Sequence, residues 1–284
     1  MAVIDPFRIR SLVSNFDEIS DSWVRDSAAA RLRWRTSLDL AYGSHPDERL
    51  DLYYPENVSG LPPIHVFVHG GYWRANRKED YGFLAETVCA AGAVLGVIGY
   101  SLMPKARMAQ LVDQVRRAAF WLEDHAHQLN FDGKRMSASG HSAGAHLVTY
   151  LFGRAPHEDA NLPLPGVSSA CLISGVFDLA PISQSFLQEE LRLSAEEVHR
   201  WSPLTARPIG ANVTILVGKD ETSPFRQQAA LMQAHLGARG MEAQHVVARG
   251  CNHMSALAAI VRKGTLPAAS LLRQFVRERG AGKP

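Results

Sequence analysis

Most of the chain alternates between short apolar runs and longer segments in which apolar residues recur every three or four positions. Four runs rich in aliphatic and β-branched residues have the length of buried strands. These runs cover residues 64–69, 93–100, 168–177 and 212–218. Weaker strand patterns cover residues 50–55, 135–140 and 242–248. The pattern therefore predicts a protein with at least seven strands.

The segments between these strands have helical periodicity. In residues 108–129, apolar side chains such as Leu111 and Val115 recur on one face of the predicted helix. Residues 223–237 form a second predicted helix, and its Ser-Pro start is typical of a helix N-terminus. Further helices are predicted over the residues up to about Leu38, directly after Gly140, and at 266–279.

Strands that alternate with helices of this length predict a mostly parallel central sheet with helices on both faces, an α/β fold. We expect one domain over residues 1–284, with residues 1–40 as a helical segment that covers the active site. In such sheets, working side chains lie in the loops beyond the carboxyl ends of the strands. Candidate residues are therefore judged by their position relative to strand ends.

Composition and charge narrow the class of protein. The chain is 46% apolar and 20% charged, with a net charge of +2, and like charges do not form blocks. This balance favours neither a nucleic-acid nor a membrane partner. The sequence as a whole predicts a small-molecule substrate and leaves a homo-oligomer open. The three cysteines are far apart, and the first 20 residues lack the apolar core of a signal peptide. We therefore expect a cytoplasmic protein.

The segment Gly140-His141-Ser142-Ala143-Gly144 lies between a predicted strand and a predicted helix. A serine in this G-x-S-x-G pattern occupies a sharp strand-to-helix turn that exposes its hydroxyl, and the glycines let strand and helix approach. The pattern predicts Ser142 as a nucleophile. The N–H of Ala143, at the start of the helix, is then expected to point at a developing oxyanion.

A second glycine motif, His69-Gly70-Gly71-Tyr72-Trp73, follows directly on the apolar run at 64–68. Glycines after a central strand let main-chain N–H groups turn toward a bound carbonyl, as in the HGG-type loop of esterases. The N–H groups of Gly70 and Gly71 are therefore the predicted remaining donors of an oxyanion hole.

A serine nucleophile needs an acid and a histidine, and in the α/β-hydrolase fold these follow the serine in that order along the chain. Asp220, two residues after the apolar strand at 212–217, is the predicted acid. Asp178 is an alternative because it ends the preceding strand, and Glu221 is a weaker one.

The predicted base is His253, because it lies in a turn-rich segment after the last predicted strand. His235 falls within a predicted helix and His245 within a predicted strand, so both are expected to be structural or surface residues. No set of histidines and carboxylates has metal-ligand spacing, and the predicted chemistry uses neither a metal nor an organic cofactor.

Together these motifs resemble the kynurenine formamidases (arylformamidases), within the esterase/lipase branch of α/β-hydrolases. The resemblance lies in HGGYW at 69–73 and GHSAGAH at 140–146. It continues in the segments 41–55, 173–182, 201–204 and 217–229. The wider esterases usually have a third glycine where Tyr72 stands.

The resemblance implies the α/β-hydrolase fold and a triad of Ser142, Asp220 and His253. It further implies hydrolysis of an N-formyl arylamine such as N-formylkynurenine, with Tyr72 and Trp73 as walls of an aromatic pocket. A carboxylesterase for small acyl esters, using the same triad, is the alternative function.

Overall fold

A computed structural model describes residues 4–265 and 267–271, and in this part of the chain ten strands alternate with helices. The strands are β1 (Arg35–Ala41), β2 (Arg49–Tyr54), β3 (Pro63–Val68), β4 (Val94–Ile98), β5 (Asp132–His141), β6 (Gly153–Arg154), β7 (Val167–Ile173), β8 (Arg207–Pro208), β9 (Asn212–Gly218) and β10 (Ala243–Ala248).

The helices are α1 (Ile9–Leu12), α2 (Phe16–Arg33), α3 (Ala85–Val88), α4 (Met108–His125), α5 (Ala143–Thr149), α6 (Ala180–Ser183), α7 (Gln188–Leu191), α8 (Ala195–Trp201), α9 (Ser223–Gly237) and α10 (His253–Ala258). Short 3₁₀ segments cover Lys78–Leu84, Cys89–Ala91, Pro203–Thr205 and Ala259–Val261. Among the described residues, no helix is long and apolar enough to cross a membrane.

Eight strands form one sheet in the order β1-β2-β4-β3-β5-β7-β9-β10. From β4 to β10 all neighbouring pairs are parallel, whereas β2 is antiparallel to both β1 and β4. This is the α/β-hydrolase fold, so the predicted fold class is confirmed. The small strands β6 and β8 form a separate two-stranded sheet.

The interior strands are buried because helices cover both faces of the parallel part of the sheet. On α4, the predicted apolar face is confirmed, since Leu111, Val115, Ala118 and Leu122 are all fully buried. Burial of a leucine or valine side chain contributes roughly 1.5–3 kcal/mol relative to its exposure. This packing holds the carboxyl ends of β3, β5 and β7 side by side, with Val68 opposite Gly140 and His141 opposite Ile173.

One sequence prediction needs correction, and part of another lies outside the described residues. The sequence predicts residues 35–40 as part of the N-terminal helical segment, but β1 (Arg35–Ala41) covers them. Antiparallel pairing with β2 gives their backbone groups a partner, and this tertiary contact overrides the local helical pattern. Of the helix predicted at 266–279, residues 267–271 are helical, and the remainder lies outside the described residues.

Candidate active site

Ser142 lies in a sharp turn between the end of β5 and the start of α5. Its backbone has φ 55° and ψ −118°, an unfavourable conformation for a residue with a side chain. The turn is held because the Ser142 N–H donates to the carbonyl oxygen of Ile173, and the Ser142 carbonyl accepts from Ala145. The predicted strand–turn–helix geometry around the serine is thus confirmed.

The two glycines of this motif are required by close approaches of the backbone. A Cβ at Gly140 would overlap the backbone of Gly144, and a Cβ at Gly144 would overlap the carbonyl oxygen of Val68. Strand β5, helix α5 and the end of β3 therefore meet only because both positions lack a side chain.

His253 is the first residue of α10, and the preceding Asn252 fixes its position. The Asn252 side chain accepts hydrogen bonds from the N–H groups of Met254 and Ser255, and the Ser255 hydroxyl accepts from the Asn252 N–H. This reciprocal cap satisfies backbone donors that would otherwise be unpaired at the helix start. The imidazole packs against Phe225, with ring centroids 4.2 Å apart.

The acidic partner of His253 is Glu221. Its Oε2 accepts a hydrogen bond from Nδ1 of His253 at 2.7 Å, and both residues are buried. The other oxygen, Oε1, accepts from the Ser174 hydroxyl and from the Gly218 N–H, each at 2.6 Å. Hydrogen bonds from the ends of β7 and β9 therefore fix the carboxylate and keep it paired, as a buried charge requires.

The expectation that Asp220 contacts the histidine is wrong in this structure. Asp220 is exposed, and its N–H donates to the carbonyl oxygen of Cys251. The turn after β9 directs the side chain of Asp220 outward and that of Glu221 inward, so the carboxylate that contacts His253 belongs to the next residue along the chain. Asp178, the other alternative, accepts a hydrogen bond from the N–H of Ala180.

The two histidines that the sequence excludes as the base, His235 and His245, contact other parts of the fold, as expected. His235 lies in α9 and contacts the carbonyl oxygen of Ala206, and His245 in β10 contacts Gln233.

His141, beside Ser142, packs against His253 at a centroid distance of 4.7 Å and donates from Nε2 to the His253 carbonyl oxygen. Burial, reinforced by the neighbouring His253, holds the pKa of His141 well below its ordinary value, so it is a neutral support for that ring.

The glycine loop after β3 lies against the serine turn. A Cβ at Gly70 would come 2.7 Å from the His141 carbonyl oxygen and 3.2 Å from Cβ of Ser142. Gly71 has a positive φ of 105° and lines the same cavity as Ser142. Ala143 is buried at the first position of α5. The structure thus places Gly70 against the serine turn and Gly71 at the cavity that contains Ser142.

Tyr72 and Trp73 both have positive φ values, 49° and 58°, which are uncommon for bulky residues. Tertiary contacts hold this strained segment. The Tyr72 hydroxyl donates to the carbonyl oxygen of Phe7, and the Trp73 carbonyl accepts from Met103. Burial raises the pKa of the Tyr72 hydroxyl well above its ordinary value, so it remains a donor.

Only one of these two aromatic residues is a pocket wall. Tyr72 lines the cavity together with Ser142 and His253. Trp73 is fully buried and meets the ring of His146 edge-on at 5.0 Å. The expectation that Trp73 forms a wall of the substrate pocket is therefore wrong: its ring packs the loop against the core.

The cavity has a volume of about 400 Å³, which suits a small organic molecule. One wall comes from the serine turn, the glycine loop and α10, and the facing wall comes from the N-terminal segment, including Phe7 and Trp23. Phe186, from the segment between α6 and α7, adds an aromatic ring. Among the described residues, no group of three histidine, cysteine or carboxylate side chains could hold a metal ion.

Comparison with known proteins places this arrangement among hydrolases. Residues 50–197 match the family described as BD-FAE. Kynurenine formamidase of Danio rerio is 31% identical over 254 residues, which cover 87% of this chain and 84% of that protein. Kynurenine formamidase of Salmo salar is also 31% identical, over 69% of this chain and 66% of that protein.

Solved structures agree on the fold. A provisionally assigned thioesterase from Silicibacter sp. has a TM-score of 0.81 and 25% identity, covering 95% of this chain and 97% of its own. An esterase from Pyrobaculum calidifontis has a TM-score of 0.73 and 16% identity, covering 98% and 99%.

Proposed function

Because this chain belongs to the BD-FAE family of kynurenine formamidase-like α/β-hydrolases, we propose that it hydrolyses N-formyl arylamines through Ser142, His253 and Glu221. It is a serine hydrolase of the formamidase and esterase group, and the finer assignment concerns the substrate and the catalytic residues. The observation that carries the proposal is the convergence of a strained serine turn and a buried His253–Glu221 pair on one cavity.

In the first step, His253 removes the hydroxyl proton of Ser142 as the serine oxygen attacks the formyl carbon. The Nδ1 hydrogen bond to Glu221 leaves Nε2 as the proton acceptor and stabilises the imidazolium that forms. His253 then donates this proton to the departing nitrogen. The C–N bond breaks, and a free arylamine leaves a formyl ester on Ser142.

Three backbone N–H groups are proposed to bind the oxyanion of the tetrahedral intermediate, those of Gly70, Gly71 and Ala143. The first two lie in the loop that contacts the serine turn, and Ala143 begins α5. Each such donor typically contributes about 3–4 kcal/mol to the stability of the transition state.

The second step regenerates the enzyme. His253 removes a proton from a water molecule, whose oxygen attacks the formyl ester. The ester bond breaks, formic acid leaves, and Ser142 regains its proton from His253. The N-formyl arylamine and water are thus converted to the arylamine and formic acid, which gives its proton to solvent, with no change of oxidation state.

A comparison of acyl groups tests the substrate. We expect kcat/KM for N-formylkynurenine to exceed that for its N-acetyl analogue by at least about 100-fold, or roughly 2.7 kcal/mol. Tyr72 at the cavity wall leaves less room than the third glycine of other esterases, which favours the smallest acyl group. Short p-nitrophenyl esters are assayed beside them. Equal rates for formyl and acetyl, or turnover of esters alone, would contradict the formamidase and indicate the carboxylesterase.

A further inference from the structure

His141, the residue before Ser142, has two ring nitrogens with different surroundings. Its Nε2 lies 2.9 Å from the carbonyl oxygen of His253 and carries the hydrogen of that bond, because a carbonyl oxygen only accepts. In a neutral imidazole the other nitrogen, Nδ1, then carries a lone pair and is an acceptor. Nδ1 has no hydrogen-bond partner among the described residues, although only 3% of His141 is exposed.

The neighbours of this ring place Nδ1 close to the proposed reacting groups. The ring packs against that of His253 and meets the ring of Trp23 edge-on, at centroid distances of 4.7 Å and 6.1 Å. A Cβ at Gly70 would come 3.3 Å from Nδ1, so this nitrogen lies beside the glycine loop. His141 also lines the cavity that contains Ser142. The structure thus offers the cavity an acceptor beside the base, the nucleophile and the loop.

The leaving group of a formamide differs from that of an ester by one N–H. As the C–N bond breaks, the nitrogen lone pair takes the proton from His253, so the original N–H points in another direction. In a closed cavity this N–H has lost its water partners, and a buried donor without an acceptor is unfavourable. The leaving oxygen of an aryl ester carries no hydrogen, so an acceptor beside it does not assist its departure.

We infer that His141 is a specificity-determining residue, whose Nδ1 accepts the N–H of the scissile formamide as the nitrogen leaves. This inference rests on the proposed function and gives one triad a physical reason to favour an amide over an ester. His253 supplies one hydrogen to the leaving nitrogen, and the hydrogen bonded to His141 is the one that the nitrogen already carries. The arylamine therefore departs as a neutral amine with both hydrogens.

The test compares three substrates with the same formyl group and the same aryl ring: formanilide, N-methylformanilide and phenyl formate. N-methylformanilide has a methyl group in place of the hydrogen, and phenyl formate has an oxygen in place of the N–H. For the wild type, kcat/KM for formanilide should exceed that for N-methylformanilide by about tenfold or more. This comparison needs no variant, and a difference of less than about twofold would overturn the inference.

Two replacements of His141 separate the roles of its two nitrogens. His141→Gln keeps a donor for the His253 carbonyl but has no acceptor at the place of Nδ1. The ratio of kcat/KM for formanilide to that for phenyl formate should therefore fall about tenfold. His141→Asn loses the donor but places an amide oxygen near Nδ1, so both rates should fall while their ratio stays within about threefold of the wild type.

His146→Gln is the matched control, because His146 belongs to the same motif and also donates to a carbonyl oxygen, that of Trp201. It should leave the ratio within about twofold of the wild type. Both substrates are assayed on one preparation, so the ratio does not depend on the fraction of folded enzyme.

An equal loss on both substrates in His141→Gln would mean that His141 only supports His253, which would overturn the inference and leave the formamidase standing. A tenfold fall of the ratio in His146→Gln would overturn it in the same way. Hydrolysis of phenyl formate with neither formamide cleaved would contradict the proposed function as well.

Discussion

Nδ1 of His253 and Oε2 of Glu221 are 2.7 Å apart, and the glutamate side chain has no exposed surface. The carboxylate is also held by Ser174 and Gly218, so it cannot turn away from the imidazole without losing two short hydrogen bonds. This pair fixes the tautomer of His253 and couples the ends of β7 and β9 to the first turn of α10.

Replacement of the acid is the first prediction. Glu221→Gln should lower kcat by about 10³–10⁴, because the amide neither fixes the productive tautomer nor stabilises the imidazolium. Asp220→Asn should change kcat by less than about twofold, since that side chain is exposed. Steady-state kinetics on one formamide compare the two variants. A larger loss in Asp220→Asn than in Glu221→Gln would show that the contact seen here does not serve catalysis.

Replacement of the nucleophile is the second prediction. Ser142→Ala should lower kcat by about 10⁴ or more and abolish labelling by a fluorophosphonate probe. Ser22→Ala, a serine on α2 that bonds to the Ile19 carbonyl, should keep both activity and labelling. Mass spectrometry locates the label, and circular dichroism checks that both variants are folded. Activity at the wild-type level in Ser142→Ala would refute the serine mechanism.

The third prediction concerns the hydrogen bond from Tyr72 to Phe7. Tyr72→Phe should destabilise the protein by about 1 kcal/mol and release the N-terminal wall, so limited proteolysis should cut faster within residues 5–16. Tyr42→Phe is the matched control, because its hydroxyl donates to Gly99 elsewhere in the fold. It should lower the free energy of unfolding without faster cutting in that segment. Equal cutting rates in both variants would mean that the bond does not hold the wall.

The fourth prediction is a loss of stability in acid. Burial lowers the pKa of His65 to about 3 and of His69 and His146 to about 4, and that of His141 well below its ordinary value. Their unfolded pKa is about 6.5, so between pH 6.5 and about 4 the unfolded chain binds protons that the folded protein excludes. Stability is therefore complete above pH 6.5 and falls as the pH falls.

Each of these histidines contributes up to about 1.36 kcal/mol per pH unit to this slope. Urea unfolding at pH 7, 6 and 5 measures the slope of the unfolding free energy against pH, in a range where most carboxylates stay ionised. His146→Gln keeps a donor for the Trp201 carbonyl and should reduce the slope by up to one proton. A free energy of unfolding that stays constant from pH 7 to pH 5 would contradict the burial of these side chains as neutral groups.

The cytoplasmic location that the sequence predicts stays a prediction, and the sequence leaves a homo-oligomer open. Cell fractionation and sedimentation measure them directly.

Features that depend on short-range geometry can be predicted from the amino-acid sequence. The serine turn is local, because Gly140 and Gly144 permit a close strand–helix approach that few other residues allow. The parallel sheet follows from the alternation of strand and helix patterns, and α9 begins and ends where its periodicity predicts. His253 was found because it follows the last strand in the chain order that this fold requires.

The remaining features depend on contacts between residues that are distant in sequence. Asp220 and Glu221 are adjacent acidic residues in one loop, and the choice between them depends on a turn fixed by Ala248, Cys251 and Ser174, which are distant in sequence. The motif predicts Trp73 as a pocket wall, but the backbone of Trp73 has a positive φ, and its ring is buried in the core. Local sequence carries no record of such long-range contacts, whose energies nevertheless select the final conformation.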